Sequence, residues 1–306
     1  MFEFKQDISR EIFFRKYALH GERTVEEILK GVAEEIASVE PDDNLKNIWQ
    51  EYFYQAMISG KFIPAGRILA NARPYSRMKN YNNCFTIDLE DSMPGIYGPV
   101  SEDAIIGQMG GGVGFNASKL RPKGALISKG GESSGVMSFV EVFDTSAKAI
   151  HTGGGRRGAH ICILNVDHPD IEEFIEYKKG RENNKLTQFN ISVGITDEFM
   201  RAVENDEDWD LVFPLMKFES EENCKTKWVK NNFDLQYCID QGYTVDDTDL
   251  ILVKVYKTIR AKDLYERMTK QAWWYNEPGA LFLDTVEAGN NASHAFKVDR
   301  CNPCGK

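Results

Sequence analysis

Apolar residues recur at helical spacing through roughly the first sixty positions, then shift to short strand-like runs separated by glycine-rich turns. Val25, Ile28, Leu29, Val32 and Ile36 share one helical face, and Thr24 followed by Glu27 supplies a capping box in front of them. A second amphipathic run carries Leu45, Ile48, Trp49, Phe53, Ala56 and Met57, with Gly60 placed to end it. Residues 8–59 therefore read as helical, and residues 1–61 as a packing layer without candidate chemistry.

Beyond that point the pattern mixes two periods. Residues 62–72 combine Pro, Gly and apolar side chains as a buried turn or strand edge would, and residues 82–87 read as a short buried strand carrying Cys84. Helices are predicted over 138–150 and 261–274, and an N-cap turn leads from Asp167 into an acidic-first helix. Residues 188–195 alternate polar and apolar as a strand packed on one face, Thr196 opens a further helix, 209–213 is a short strand and 280–284 a buried one. Strands alternating with helices favour a parallel α/β sheet or barrel over residues 62–306. Residues 205–250 are polar and charged, and Cys224 and Cys238 within them carry no assigned role.

Composition narrows the function classes. At 306 residues the chain has room for a large core, and 42% hydrophobic with 27% charged content is that of a globular protein. A net charge of −10 argues against coating nucleic acid, which requires Lys and Arg to neutralise phosphates. No apolar run approaches the ~20 residues of a membrane span. The start has no signal-peptide architecture, and six scattered cysteines do not form a secreted disulfide framework, so the expected location is cytoplasmic.

Three features offer chemistry. The segments 110–114 and 152–159 are glycine-rich, and glycine lets backbone N–H groups approach a ligand closely. Arg156 and Arg157 in the second segment, with Lys119, Arg121 and Lys123 between the two, suit phosphate or a base edge. The first segment is neither a good dinucleotide fingerprint, lacking an acidic residue ~20 positions on, nor a P-loop, lacking a following Gly-Lys-Ser/Thr. His168 beside Pro169 reads as a turn residue, and Cys84 alone as a core thiol. The last stretch, 300–306, admits a frayed tail, a C-x-x-C metal or dithiol site at Cys301 and Cys304, or a catalytic tip. In the last case Asn302 and Cys304 alternate along an extended strand and face one side. Zinc needs four ligands, and no second C-x-x-C is present to supply them.

Taken together, four islands in order resemble the catalytic subunit of ribonucleotide reductase, in the details of its adenosylcobalamin-dependent class. They are 62–72 with Asn82, Asn83, Cys84 and Phe85; Asp91 with 110–117; 153–159 with 167–175; and Glu277, Pro278 and Gly279 leading to Asn302, Pro303, Cys304 and Gly305. The resemblance implies an N-terminal helical layer followed by the first half of a ten-stranded α/β barrel, with the radical cysteine on a finger loop. It implies that Cys304 is the thiyl-radical site, that Asn302 hydrogen-bonds the ribose, and that Cys84 is one of two reducing thiols. Asn83, Gly110, Gly111, Gly112, Gly114 and Arg157 would contact a ribonucleotide substrate, and Asp91 and Arg121 a deoxynucleoside triphosphate effector. Adenosylcobalamin would generate the radical, the alternative being a separate small subunit, and a thioredoxin- or glutaredoxin-type protein would restore the thiols.

The pattern departs from the family at one position. Where the family carries Glu two residues after the radical cysteine, this chain has Lys306, which cannot accept a proton at neutral pH. The second reducing cysteine, the phosphate loop and the second half-barrel are expected beyond Lys306, whether on a separate C-terminal chain, in an interrupted gene product or lost by truncation. Alone, the chain is expected to be inactive. The alternative is a nucleotide-binding or regulatory fragment without catalysis of its own.

Overall fold

The structure, a computed structural model, describes residues 4–19, 21–150, 158–180, 186–216, 218–230, 233 and 235–305. The chain divides into two compact units. One gathers the chain up to Asn83 with the short stretch Gln108–Gly111; the other holds Cys84–Gly107 and most of the chain from Gly112 onward.

The first unit is helical: α1 (Asp7–Tyr17), α2 (Val25–Ala37), α3 (Asp43–Ile58) and α4 (Gly66–Asn71). The expected capping box is present, with the Thr24 hydroxyl accepting from the Glu27 N–H at 3.1 Å and the Glu27 carboxylate accepting from the Thr24 N–H at 3.1 Å. Val25, Leu29 and Val32 of α2 close a core with Met57, Leu69 and Ala72. Below it the fully buried Arg73 is paired with Glu22 at 2.6 Å. Residues 62–72 differ from expectation. Ala65 begins a helical turn that buries Arg67 and Leu69, while Phe62 and Ile63 stay exposed. Proline and glycine beside apolar residues suit a helix start as well as a strand edge, and backbone bonds from Ile68 and Leu69 to the Ala65 carbonyl decide it.

The second unit is α/β. Its strands β1 (Cys84–Thr86), β2 (Gly112–Asn116), β3 (His160–Asn165) and β4 (Phe189–Ile195) alternate with α5 (Met93–Gln108), α6 (Val136–Ala149) and α7 (Ile171–Glu176). After β4 come α8 (Asp197–Glu204), β5 (Asp208–Pro214), β6 (Thr226–Lys230), α9 (Leu235–Gln241) and β7 (Leu250–Arg260). The chain then forms α10 (Ala261–Tyr275), β8 (Gly279–Phe282) and α11 (Leu283–Ala288). Five strands make one wholly parallel sheet in the order β1-β2-β3-β4-β8. The order advances in one direction, as in barrel winding; a doubly wound sheet would reverse it. Phe115, Phe143 and Phe189 fill the space between this sheet and its helices, with Phe115 and Phe143 centroids 4.7 Å apart.

Three elements depart from the sequence expectation. Part of the first glycine-rich segment is strand β2, buried along its whole length. The polar stretch 205–250 contributes to an antiparallel sheet, β5-β7-β6, with its own core of Phe213, Tyr237, Cys238, Tyr243 and Val253. Strand β8 is exposed because it lies at a sheet edge with β4 as its neighbour.

Candidate active site

Cys84 opens β1 and stands in register with Gly112 of β2. The segment approaching Cys304 is held against the same strands. Asn116 at the end of β2 donates its amide to the Asp299 carbonyl at 2.7 Å. A Cβ on Gly114 would collide with the Cys301 carbonyl and lie 2.8 Å from Ile161 Cγ2, and one on Gly112 would lie 2.8 Å from Pro303 Cγ. Glycine is therefore needed here for close backbone approach. The segment brings Cys304 Sγ to 3.8 Å from Cys84 Sγ, across 220 positions of sequence. Cys84 is half-buried and Cys304 exposed.

The tip is a turn, not the extended strand expected from Asn302-x-Cys304. Pro303 has no N–H for a strand ladder, and Asn302 Oδ1 accepts from the Cys304 N–H at 3.1 Å. The Gly305 N–H closes the turn on the Asn302 carbonyl at 2.9 Å. The two thiols of the C-x-x-C face different surroundings. Cys301 packs with Ile161 and Ile163, where burial raises its pKa, while Cys304 faces Cys84. Among the described residues no group of three or more His, Cys, Asp or Glu is arranged to hold a metal ion.

Asp91 and Arg121 form a second centre in the same unit. Arg121 Nε is 2.7 Å from Asp91 Oδ2, and the Arg121 backbone N–H donates to Oδ1 at 3.2 Å. Burial raises the Asp91 pKa in spite of the guanidinium. The phenols of Tyr237 and Tyr243, contributed by the antiparallel insert, are raised by burial and by the nearby Asp91 charge. The loop after Arg121 is fastened by Asp170, which accepts from the Lys123 N–H at 3.0 Å and the Val136 N–H at 2.9 Å. His168 is the turn residue expected, with both ring nitrogens used. Nε2 meets the Leu120 carbonyl at 2.9 Å and Nδ1 accepts from the Asp170 N–H, while burial lowers its pKa and keeps it neutral.

The remaining sequence candidates are distributed as follows. Gly112 and Gly114 lie in the second unit, whereas Asn83, Gly110 and Gly111 belong to the first. Gly110 has φ +72° and its carbonyl accepts from the Arg67 guanidinium, so both conformation and contact demand glycine. Arg157, with Gly153, Gly154, Gly155 and Arg156, and Lys306 lie outside the described residues. Sequence reasoning passed over Asp88 and Arg300, which pair at 2.7 Å, and the buried pair Asp103–His160 at 3.0 Å. The available signal for the first pair was an acid four places after Cys84 and a base four before Cys304.

Comparison with known proteins identifies the family. The chain matches the ribonucleotide reductase barrel domain over residues 82–306 and the ribonucleotide reductase all-alpha domain over residues 3–77. It is 34% identical over 255 residues to a vitamin B12-dependent ribonucleoside-diphosphate reductase of Thermoplasma acidophilum, covering 83% of this chain and 28% of that protein. A protein of the same name from Mycobacterium tuberculosis is 29% identical over 299 residues, covering 95% and 38% of the two. The ribonucleoside-diphosphate reductase subunit alpha of Synechocystis is 30% identical over 276 residues, covering 88% and 34%. The chain thus spans between a quarter and two-fifths of the length of these relatives. With matching domains across nearly its whole length, the chain belongs to the ribonucleotide reductase family.

Proposed function

We propose that the chain supplies the radical thiol, one reducing thiol and the effector site of an enzyme that reduces ribonucleotides to deoxyribonucleotides. The observation that carries this is the 3.8 Å approach of Cys304 to Cys84 at the start of β1 in a parallel sheet. The turn at Asn302 presents Cys304 outward, with its neighbour Cys301 committed to the core. In this reading Cys304 Sγ exchanges a hydrogen atom with ribose C3′, the Asn302 carboxamide orients the ribose hydroxyls, and Cys84 delivers hydrogen to C2′. Of the substrate contacts that the resemblance implies, Gly112 and Gly114 lie in the unit that carries Cys84 and Cys304. The balance is one ribonucleotide and two thiols giving one deoxyribonucleotide, one disulfide and one water, and a thioredoxin- or glutaredoxin-type dithiol restores the pair.

Two of the relatives above are named as vitamin B12-dependent, and adenosylcobalamin, a form of that vitamin, fits the exposure of Cys304, which leaves its thiol open to a bulky group. When bound, it would supply the one-electron oxidising equivalent that activates that thiol. The partner thiol to Cys84 and the carboxylate base come from polypeptide that completes the barrel. The edge strand β8, with Phe282 exposed on it and Trp273 and Trp274 exposed on α10, is the side on which a C-terminal half would add. Asp91 and Arg121 would bind a deoxynucleoside triphosphate. Nucleotide metabolism of this kind suits a cytoplasmic setting.

The test is turnover of ribonucleotide with adenosylcobalamin and a dithiol, using the chain completed by its remaining half-barrel. Cys304→Ser abolishes turnover and radical formation, whereas Cys84→Ser abolishes turnover while radical formation survives. Turnover of the Cys304→Ser protein at the parental rate refutes the reading. The complete Asp91–Arg121 pair within one unit also favours a second reading, a nucleotide-binding regulator. That reading predicts nucleotide binding without reduction under the same conditions.

A further inference from the structure

Asp88 lies between the two centres just described. It follows β1 and precedes Asp91, and its carboxylate is shared by cations from two other segments. Lys119 Nζ sits 2.7 Å from Oδ2 and Arg300 Nη1 2.7 Å from Oδ1. Burial alone would raise the Asp88 pKa, but the two cations outweigh it and hold the carboxyl below its usual value. Arg300 is held charged in turn by Asp299 and Asp88 against its own burial.

Each cation is tied to one centre. Lys119 is two residues before Arg121, and its ammonium also rests over the Tyr237 ring at 4.7 Å, beside Asp91. Leu120 between them is buried and its carbonyl is held by His168, so Lys119 and Arg121 extend from one anchored stretch of backbone. Arg300 begins the segment that carries Cys304, and it also donates to the Ile87 carbonyl at 3.3 Å. Asp91–Arg121 and Asp88–Lys119 are thus consecutive rungs between the same two stretches of chain, and Arg300 attaches the cysteine segment to the second rung.

We propose that Asp88 is a positioning residue that holds Cys304 beside Cys84 through Arg300 and links that placement, through Lys119, to occupancy of the Asp91–Arg121 centre. The first half stands on the ion pairs alone; the link rests on the nucleotide reading of Asp91 and Arg121. A ligand that takes Arg121 away from Asp91 shifts Lys119, changes its share of the Asp88 carboxylate, and alters how firmly Arg300 is held.

The experiment uses the 306-residue chain and the rate at which a diazenedicarboxamide oxidant joins Cys84 to Cys304, read by mass spectrometry after alkylation. The two thiols lose two electrons and two protons, and the diazene is reduced to its hydrazine. Asp88→Asn slows this disulfide about twofold to fivefold, within the range expected for losing a partly exposed ion pair, and Asp88→Glu restores most of the rate. Melting temperature is followed in parallel, because a purely structural role would lower it in both variants without the selective rescue. An unchanged rate in Asp88→Asn, or equal loss in both variants, overturns the positioning claim.

The same rate is measured with dATP, dGTP, dCTP and dTTP in turn, with binding followed by calorimetry. At least one nucleotide shifts the rate in the parent chain and fails to do so in Asp88→Asn or Lys119→Gln. Binding without any change in rate overturns the link alone. Absence of binding overturns the link together with the nucleotide reading of Asp91 and Arg121.

Discussion

Replacing Gly114 by Ala tests how the sheet seats the cysteine segment. The new Cβ would overlap the Cys301 carbonyl and press Ile161 Cγ2 at 2.8 Å. Neither neighbour yields easily, since one is backbone and the other belongs to a buried strand residue. Overpacking of this kind costs about 1–3 kcal/mol. For a unit of this size that lowers the melting temperature by roughly 2–12 °C. The cheapest relief is for residues 299–304 to lift off β2, breaking the Asn116–Asp299 bond. Hydrogen–deuterium exchange of that segment should therefore accelerate while the helices keep their protection. Gly107→Ala is the control, because in α5 its Cβ would meet only Ile150 Cγ2, at an ordinary 3.8 Å, and helix propensity favours alanine by up to about 1 kcal/mol. A Gly114→Ala protein that melts like its parent and keeps protection at 299–304 would refute the close approach.

Other outcomes follow from burial and charge. Arg73→Met leaves Glu22 buried without its partner and should cost about 3–5 kcal/mol in thermal or denaturant unfolding; adding Glu22→Gln should recover much of that loss. Burial pushes the Asp167 carboxyl up to about 6, so its ionisation opposes folding once pH exceeds the unfolded value near 3.8. Asp167→Asn should accordingly be the more stable protein above pH 6, by about 1 kcal/mol after allowing for partial exposure, with the difference vanishing as pH falls toward 4. Unfolding curves at pH 4 and pH 8 check this, and an advantage that persists at pH 4 contradicts it. Iodoacetamide should label Cys304 first and leave Cys162 and Cys301 untouched until the chain unfolds, because burial keeps both of those as thiols.

The helical layer was legible because its signals are local: a capping box and an apolar face at fixed spacing need no knowledge of the partner. The parallel order of the main strands was legible for a related reason, since crossover helices announce themselves between apolar runs. Strand β2 was hidden by its glycines, which serve here to admit Cys301 and Pro303, a requirement set by residues nearly two hundred positions away. Of the antiparallel insert, β5 was legible as the short strand 209–213, while β6 and β7 were hidden by a charged outer face. Lys225 and Lys227 flank Asp210 there, and the apolar half of the pattern serves a small separate core. Cys301 and Cys304 look equivalent in sequence, and only tertiary packing sends one into Ile161 and Ile163 and the other to Cys84. The turn at Asn302 was misjudged because a side chain, bonding back to the Cys304 N–H, replaced the strand ladder. Asp88 escaped notice because its meaning depends on two cations that arrive from elsewhere.

The central claim is that two thiols 220 positions apart in the sequence form one site. Mild oxidation of the folded chain followed by peptide mapping tests it directly. The structure predicts a single early disulfide between Cys84 and Cys304, whose sulfurs already stand 3.8 Å apart. A first disulfide between Cys301 and Cys304, with Cys84 left as a free thiol, would contradict the account.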